Sequence, residues 1–290
     1  MLAVVQMLII VALAPLVQGA MKRLRARLQG RPGPSIIQPY RDLAKLWGKE
    51  AALPEGTSII TICAPGLSLG VALTFAAALP LAGPTAISIV DIVALAFLLG
   101  LGRFVLALAA LDTRSAFAGM ASSREMTFAS LVEPALLVAL LGGAALGHGT
   151  SFAALRMAPF GLAGTLAFGA FFLVLLAETA RIPVDNQETH YELTMIHEGL
   201  VLEYASWQLA MLQLATYIRQ LSFLLLSTLL LPGGFSVWLA PFWVISIAGA
   251  ITLVETMFAK LRLFEVPQLL TTAFLLAVTS IGLRLFGAMV

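Results

Sequence analysis

Carboxylates concentrated in one short segment are the residues of this chain best suited to chemistry. The stretch 177–207 reads AETARIPVDNQETHYELTMIHEGLVLEYASW and holds six of the 15 acidic residues. Neighbouring carboxylates raise one another's pKa, and burial raises it further, so such groups can hold and pass protons near neutral pH. The pattern indicates a proton path or a working surface. A solvated loop is the simpler alternative, but the charges begin at Glu178, inside an apolar run, which disfavours a loop.

Six glutamates are candidates for the proton path. Glu133 lies inside one apolar run and Glu178 near the end of the next, and charge in a membrane is costly unless it faces water, a partner or the bundle interior. If residues 188–203 form a helix, Glu188 and Glu192, which are four residues apart, project toward one side together with Glu203. The predicted path comprises Glu125, Glu133, Glu178, Glu188, Glu192 and Glu203, with Glu125 and Glu188 at its cytoplasmic mouth.

Intramembrane arginines offer an alternative in which Glu133 and Glu178 are structural ion-pair partners that satisfy the bundle interior. The candidate arginines are Arg103, Arg181 and Arg219. The sequence does not identify which carboxylate pairs with Arg103. Glu255, at the end of a later apolar run, is predicted to form a structural ion pair near Lys260 and Arg262.

The two histidines of the acidic segment do not predict a metal site. His190 and His197 are seven residues apart, so on a helix they would lie about 10 Å apart along the axis. The single cysteine, Cys63, excludes a disulfide within the chain and a cysteine-ligated zinc or iron–sulfur site made by this chain alone. We therefore predict no catalytic residue, metal site or cofactor in this chain itself.

The composition predicts an all-α integral membrane protein that forms one domain over residues 1–290. Hydrophobic residues make up 60% and charged residues 11%, with a mean hydropathy of +0.98, whereas a soluble domain has about 25% charged residues. A helix needs about 20 apolar residues to cross the hydrocarbon core. Eight stretches qualify, namely 1–20, 59–81, 87–111, 127–146, 160–179, 208–231, 237–258 and 267–286.

Basic residues are distributed unevenly among the loops between these spans. The loops 21–58, 112–126, 180–207 and 259–266 carry most of the Lys and Arg residues, and the opposite loops carry only Arg156. The positive-inside rule then places the basic loops in the cytoplasm and both termini outside, which is the periplasm if the membrane is a bacterial inner membrane.

The first long loop, 21–58, predicts a helix at the membrane surface. The sequence RPGP at 31–34 interrupts any helix there. Beyond it, apolar residues from Ile36 to Trp47 recur at spacings of three or four, with charged residues between them. Such an amphipathic helix lies with its apolar face toward the membrane. It would serve either as an anchor that binds anionic lipid or as a platform for a partner protein.

Two motifs carry a family resemblance. In the first loop, Arg31-Pro32-Gly33-Pro34 is followed by Gln38-Pro39, Asp42, Lys45-Leu46 and Lys49-Glu50. In the second, AETARIPVD at 177–185 is followed by Glu192-Leu193 and Glu203-Tyr204. Both resemble signatures of subunit 1 of respiratory complex I and its hydrogenase relatives. The runs THYELTMIHE at 189–198 and SSRE at 122–125 resemble the membrane anchor subunits of group 4 [NiFe] hydrogenases, of the formate hydrogenlyase and hydrogenase-4 types.

The resemblance implies an integral membrane subunit of an energy-converting oxidoreductase. Such a subunit docks soluble redox subunits and helps to couple electron transfer to proton or sodium translocation, and in the family the acidic segment forms a funnel that joins the redox arm to antiporter-like subunits. The implied partners are a [NiFe] large subunit, an iron–sulfur small subunit, antiporter-like membrane subunits and lipids, with no nucleic acid. The [NiFe] centre and the iron–sulfur clusters would lie in the partner subunits.

Polar residues of the two long loops are predicted to bind the soluble arm and to line the cavity beside it. They are Arg31, Gln38, Arg41, Asp42, Lys45, Arg181, Asp185, His190 and His197. Two other functions remain as alternatives: the quinone-site subunit of complex I, and a free-standing secondary transporter. The lack of clear internal repeats and the large charged loops count against the transporter.

Overall fold

Helices account for the regular structure in the part of the chain that the computed structural model describes, which is 2–50, 56–80, 91–144, 150–152, 155, 161–186, 194–231 and 239–287. Nine α-helices have described bounds, together with the short 3-10 helix Glu198–Val201. The α-helices are α1 Leu2–Leu28, α2 Gln38–Trp47, α3 Ile59–Ala78, α4 Ile92–Asp112, α5 Ala116–Ala144, α6 Leu162–Glu178, α7 Ser206–Thr228, α8 Ala240–Met257 and α9 Val266–Gly287. The predicted all-α membrane fold is confirmed.

Each of the eight predicted apolar spans corresponds to one of these helices. Seven are long and apolar enough to cross a membrane, namely α1, α3, α4, α5, α7, α8 and α9. The helix α6, which matches the predicted span 160–179, is apolar but has only 17 residues. Seventeen residues rise about 26 Å, a little less than the hydrocarbon thickness of about 30 Å.

Two helices extend beyond their predicted ends. The basic segment after residue 20 continues α1 to Leu28, and α5 begins at Ala116 instead of residue 127. The predicted loop 112–126 was therefore wrong over most of its length. Its polar residues remain helical because neighbouring elements satisfy them: Ser122 donates to the Ala107 carbonyl at 3.0 Å, and Arg124 donates to the Met195 carbonyl at 3.0 Å.

The packed core joins helices that are distant in sequence. Helix α9 packs along α5 and α6, α3 packs between α4 and α7, and α1 lies against α7 and α8. Three fully buried phenylalanines connect α3, α6 and α7: the ring centroid of Phe223 lies 5.0 Å from that of Phe75 and 6.4 Å from that of Phe171. This core fixes the helices from which the buried charges project.

The predicted surface helix is present as α2, which packs against α1 and α7. Pro39 and Leu43 are buried, whereas Trp47 is exposed. The loop before α2 packs against α1 at Gly19, where any Cβ would overlap the carbonyl group of Ile36. Glycine is therefore required at this position for the loop to approach α1 so closely.

Segments from the predicted cytoplasmic loops meet at one end of the bundle. Lys260 Nζ donates to Asp185 at 2.7 Å and to the Thr194 carbonyl at 2.8 Å. At the other end, the Ile92 amide donates to the Thr150 carbonyl at 3.0 Å. The structure thus supports the predicted division of the loops into two sets. The assignment of one set to the cytoplasm remains a prediction.

Candidate functional site

Arg103 lies at the centre of an acidic cluster inside the bundle. Its guanidinium contacts three carboxylates: Nη2 is 2.6 Å from Glu178 Oε1, Nε is 3.5 Å from Glu125 Oε1, and Nη1 is 3.6 Å from Glu133 Oε1. We call these four residues the Arg103 cluster. The sequence left the partner of Arg103 unnamed. The structure shows the ion pairing that was the alternative for Glu133 and Glu178, while their role in proton transfer remains a prediction.

Three helices supply the Arg103 cluster. Arg103 comes from α4, Glu125 and Glu133 come from α5, and Glu178 is the last residue of α6. The two α5 glutamates are eight residues apart and therefore about 12 Å apart along the helix axis. Gly100, one turn before Arg103, allows the close approach of Glu133, because a Cβ there would lie 3.1 Å from Glu133 Oε1.

A second guanidinium, that of Arg219 on α7, borders the same carboxylates. It lines a cavity of about 30 Å³ together with Arg103, Glu125 and Glu178. Arg219 Nη2 lies 3.3 Å from His197 Nε2. Guanidinium nitrogens only donate, so Nε2 accepts this hydrogen bond and the imidazole is neutral. Burial, followed by the charges of Arg219 and Arg103, lowers the pKa of His197 to about 3, which agrees with a neutral ring.

A separate ion-pair group surrounds Arg181. Arg181 donates to Glu255 Oε1 at 2.9 Å and to Gln18 Oε1 at 2.6 Å, and Arg25 lies 3.6 Å from Glu255 Oε2. We call these four residues the Arg181 cluster. The prediction that Glu255 forms an ion pair was correct, but its expected location near Lys260 was wrong.

The turn after α6 explains the partners of Glu255. The amide of Arg181 donates to the Leu176 carbonyl at 2.9 Å, and that of Ala180 donates to the Ala177 carbonyl at 3.1 Å. Ala180 adopts a φ of 49°, the left-handed conformation that usually ends a helix in this hydrogen-bonding pattern. The reversal directs Arg181 toward α1 and α8, while Asp185 forms an ion pair with Lys260.

A cavity of about 220 Å³ adjoins the Arg181 cluster at the end where the predicted cytoplasmic loops meet, and Asp185 and His197 separate it from the cavity of about 30 Å³ beside the Arg103 cluster. We call the larger cavity the vestibule. Its polar lining includes Gln18, Lys22, Arg181, Asp185, His197, Glu198, Tyr217 and Glu255. Burial, followed by the charge of Asp185, raises the pKa of Glu198 to about 7, and Lys22 opposes this shift. Sequence reasoning did not select Glu198, although it lies next to His197 in the carboxylate-rich segment.

The predicted docking residues divide into exposed and buried groups. Arg31, Arg41 and Lys45 are exposed, and Gln38 Nε2 donates to Asp42 Oδ1 at 2.8 Å along α2. Asp185 was expected on the docking surface, but it is only 2% exposed and bonds to Lys260. Arg181 and His197 are also buried and line the vestibule.

The remaining predicted residues lie in the middle of the acidic segment. Glu188, His190 and Glu192 are outside the described residues. From Thr194 to Tyr204 the chain forms turns and the short 3-10 helix, so the α-helix considered for this segment is wrong over that part. Glu203 is half-buried and forms no ion pair with any residue that the structure describes.

A membrane bundle with ionisable residues clustered in its interior is typical of membrane proteins that move ions or protons. The family model described as NADH dehydrogenase matches residues 1–285. The chain belongs to this family, as the two loop motifs predicted.

Individual relatives agree with this assignment. Formate hydrogenlyase subunit 4 of Escherichia coli is 31% identical over 225 residues, which cover 75% of this chain and 72% of that protein. Hydrogenase-4 component C of the same organism is 35% identical over 233 residues, covering 75% of this chain and 70% of that protein. A subunit of the NADH-quinone oxidoreductase of Rhodospirillum centenum is 28% identical over 247 residues, covering 80% of this chain and 71% of that subunit.

A solved structure shares the fold. A chain of the membrane-bound sulfane sulfur reductase, an archaeal respiratory membrane complex, aligns with a TM-score of 0.82 at 20% identity, covering 97% of this chain and 99% of that one. The comparisons confirm that this chain is a membrane subunit of the complex I-like, energy-converting oxidoreductases. They support this function over the free-standing transporter.

Proposed function

We propose that this chain is the membrane subunit through which a group 4 [NiFe] hydrogenase couples electron transfer to proton movement. The observation that carries the proposal is the Arg103 cluster, in which three carboxylates surround one buried guanidinium. A purely structural ion pair needs one carboxylate for each arginine. The additional carboxylates can bind and release protons inside the membrane, which is the usual role of clustered acidic residues there.

The cavities provide a route to the Arg103 cluster. Protons would enter at Glu198 in the vestibule and pass His197 and Asp185, which line both the vestibule and the cavity of about 30 Å³ beside Glu178 and Glu125. A polar cavity of this size can hold a water molecule that bridges donors and acceptors. Glu133, whose side chain is 39% exposed, would be the exit toward a neighbouring subunit.

The hydrogenase assignment rests on the SSRE and THYELTMIHE motifs and on the two hydrogenase relatives. The partners would be a [NiFe] large subunit, an iron–sulfur small subunit and antiporter-like membrane subunits, with the metal centres held in those partners. The soluble subunits would bind at the exposed residues Arg31, Arg41 and Lys45, on the cytoplasmic side of a bacterial inner membrane.

The test is Glu178→Gln in the intact complex, because glutamine keeps the hydrogen-bonding shape and cannot titrate. Hydrogen evolution and membrane potential would be measured together in inverted vesicles. We expect loss of the potential, with hydrogen evolution falling too if the two processes are tightly coupled. Glu265→Gln, the same change at the loop before α9, is the control and should pump normally. Normal pumping by an intact Glu178→Gln complex would return Glu178 to a structural role.

A further inference from the structure

Two guanidinium groups face the same carboxylates, but only one of them is paired with them. Arg103 contacts Glu125, Glu133 and Glu178. Arg219 lines the same small cavity, yet no carboxylate of the described residues lies within ion-pair distance of it. Its side-chain contact is instead the imidazole of His197, at 3.3 Å.

This arrangement is unexpected on energetic grounds. A hydrogen bond from a guanidinium is charge-assisted with either acceptor, but a carboxylate adds the attraction between opposite charges, which a neutral imidazole lacks. A guanidinium that could turn freely toward Glu125 or Glu178 would therefore prefer a carboxylate to a neutral imidazole. The position of Arg219 requires that His197 be held in place as a competing acceptor.

His197 is held from its backbone side. Its amide donates to Asp185 Oδ2 at 3.2 Å, and Asp185 Oδ1 in turn binds Lys260 Nζ at 2.7 Å. The residue is buried, and its ring lines the vestibule, the cavity of about 30 Å³ and a third cavity of about 40 Å³ that also borders Arg103 and Glu125. It therefore forms part of the wall between the vestibule and the Arg103 cluster.

We propose that His197 is a positioning residue that holds Arg219 away from the carboxylates of the Arg103 cluster. Three carboxyl groups then share one guanidinium, and one of them retains an exchangeable proton. This inference rests on the proposed proton path. It identifies His197 as the residue that allows a carboxyl group of the Arg103 cluster to keep its proton. The lowered pKa of His197 supports it, because the ring stays an acceptor throughout the neutral range.

The other charged or titratable groups around the three carboxylates come from three elements. Arg103 projects from α4 and Arg219 from α7, while Asp185 and His197 come from the segment between α6 and α7. The residues that α3 and α9 contribute to these cavities are Ser68, Val71, Ala72 and Leu270, none of which titrates. A released Arg219 would therefore be the main new charge acting on the carboxyl groups.

The test measures protonated carboxyl groups by infrared difference spectroscopy on the purified, intact complex. The band of the Arg103 cluster is assigned by its change in Glu125→Gln, Glu133→Gln and Glu178→Gln. His197→Phe keeps a ring but removes the acceptor, so Arg219 should turn to a carboxylate and the midpoint of the titration should move to lower pH by about 1–3 units. His197→Gln keeps an acceptor and should titrate as the wild type does.

Removing the released guanidinium provides the decisive control. The double variant His197→Phe with Arg219→Gln should bring the midpoint back to the wild-type value or above it, because no guanidinium remains at position 219. A merely structural role of His197 does not predict this rescue. An unchanged midpoint in His197→Phe, or no rescue, would overturn the proposal. If His197→Phe fails to assemble, Arg219→Gln alone should shift the midpoint less than Arg103→Gln does. An equal shift would contradict the proposal.

The infrared result is independent of pumping. If the Glu178→Gln complex pumps normally, the proposed function fails, whereas the effect of His197 on the titration can still be observed. If pumping depends on Glu178 and the His197 variants leave the band unchanged, only the inference about His197 fails.

Discussion

The Arg103 cluster and the Arg181 cluster contain the same kinds of groups in opposite proportions. Around Arg103, three carboxylates contact one guanidinium; around Glu255, two guanidinium groups contact one carboxylate. An excess of carboxylates favours binding of a proton, because neighbouring negative charges oppose ionisation. In the Arg181 cluster, each oxygen of the single carboxylate has a guanidinium partner. The ratio, and not the presence of buried charge, distinguishes a candidate proton carrier from a structural ion pair.

The largest effect on stability is expected from Glu255→Gln. The change removes the carboxylate shared by Arg181 and Arg25, and breaking a buried pair in this way costs about 3–5 kcal/mol. Glu178→Gln should cost no more than about 2 kcal/mol, because Arg103 keeps Glu125 and Glu133. Thermal unfolding of the two purified complexes would show the difference. A larger loss of stability in Glu178→Gln than in Glu255→Gln would contradict the proposed difference between the two clusters.

Glu198, in the vestibule beside the Arg181 cluster, should make stability depend on pH. The folded-state pKa of about 7 lies above the reference value of 4.5, so the folded chain binds this proton more tightly than the unfolded chain does. The resulting stabilisation is complete below the unfolded pKa and is lost as the pH rises through the folded pKa. Glu198→Gln stays uncharged and should be more stable than wild type at pH 8, by about 1–2 kcal/mol after allowance for solvent screening.

The measurement is the difference in thermal unfolding between Glu198→Gln and wild type at pH 5 and at pH 8. The advantage of the variant should be small at the lower pH and larger at the higher one. A difference that does not change with pH would show that Glu198 is not perturbed by its position in the vestibule.

Gly100→Ala should impair the Arg103 cluster without removing any charged group. The new Cβ would lie 3.1 Å from Glu133 Oε1 and displace that carboxylate from Arg103. We expect reduced membrane potential at near-normal assembly, with stability within about 1 kcal/mol of wild type, because alanine favours the helix. Gly169→Ala in α6, where a Cβ meets no atom within 4 Å, is the matched control. Equal pumping by the two variants would show that the position of Glu133 is unimportant.

The smallest effect is expected at Ala180, in the turn that separates Glu178 of one cluster from Arg181 of the other. Its φ of 49° is unfavourable for alanine by about 1–2 kcal/mol and open to glycine. Glycine also gains entropy in the unfolded chain, which offsets part of this gain. Ala180→Gly should therefore stabilise the chain by at most about 1 kcal/mol in thermal unfolding, whereas Ala180→Val should destabilise it.

The sequence predicted the helices of the fold, but it predicted few of the contacts between charged groups. Hydrophobic runs predicted the eight apolar helices, and a spacing of three or four predicted α2. The first eleven residues of α5 read as a loop because Ser122, Arg124 and Glu125 are polar. Their partners Ala107, Met195 and Arg103 belong to other elements, and local patterns carry no information about such partners.

The charge clusters show the same limit. That Glu178 and Arg181 act in different clusters follows from the reversal at Ala180, where an alanine adopts a conformation more typical of glycine. Lys260 is close to Glu255 in sequence, but its side chain binds Asp185. Sequence proximity therefore suggested the wrong ion pair, whereas the place of Glu133 and Glu178 in apolar runs predicted that both lie among the charged groups of the helix bundle.

The partial exposure of Glu133 has a consequence for the biogenesis of the protein. Its side chain is 39% exposed, within a helix long and apolar enough to cross the membrane. A chain inserted alone would present this group to lipid, at a cost on the order of a few kcal/mol. A neighbouring subunit that covers Glu133 would remove that cost. The newly made chain should therefore be less stable in the membrane alone than in its assembled complex.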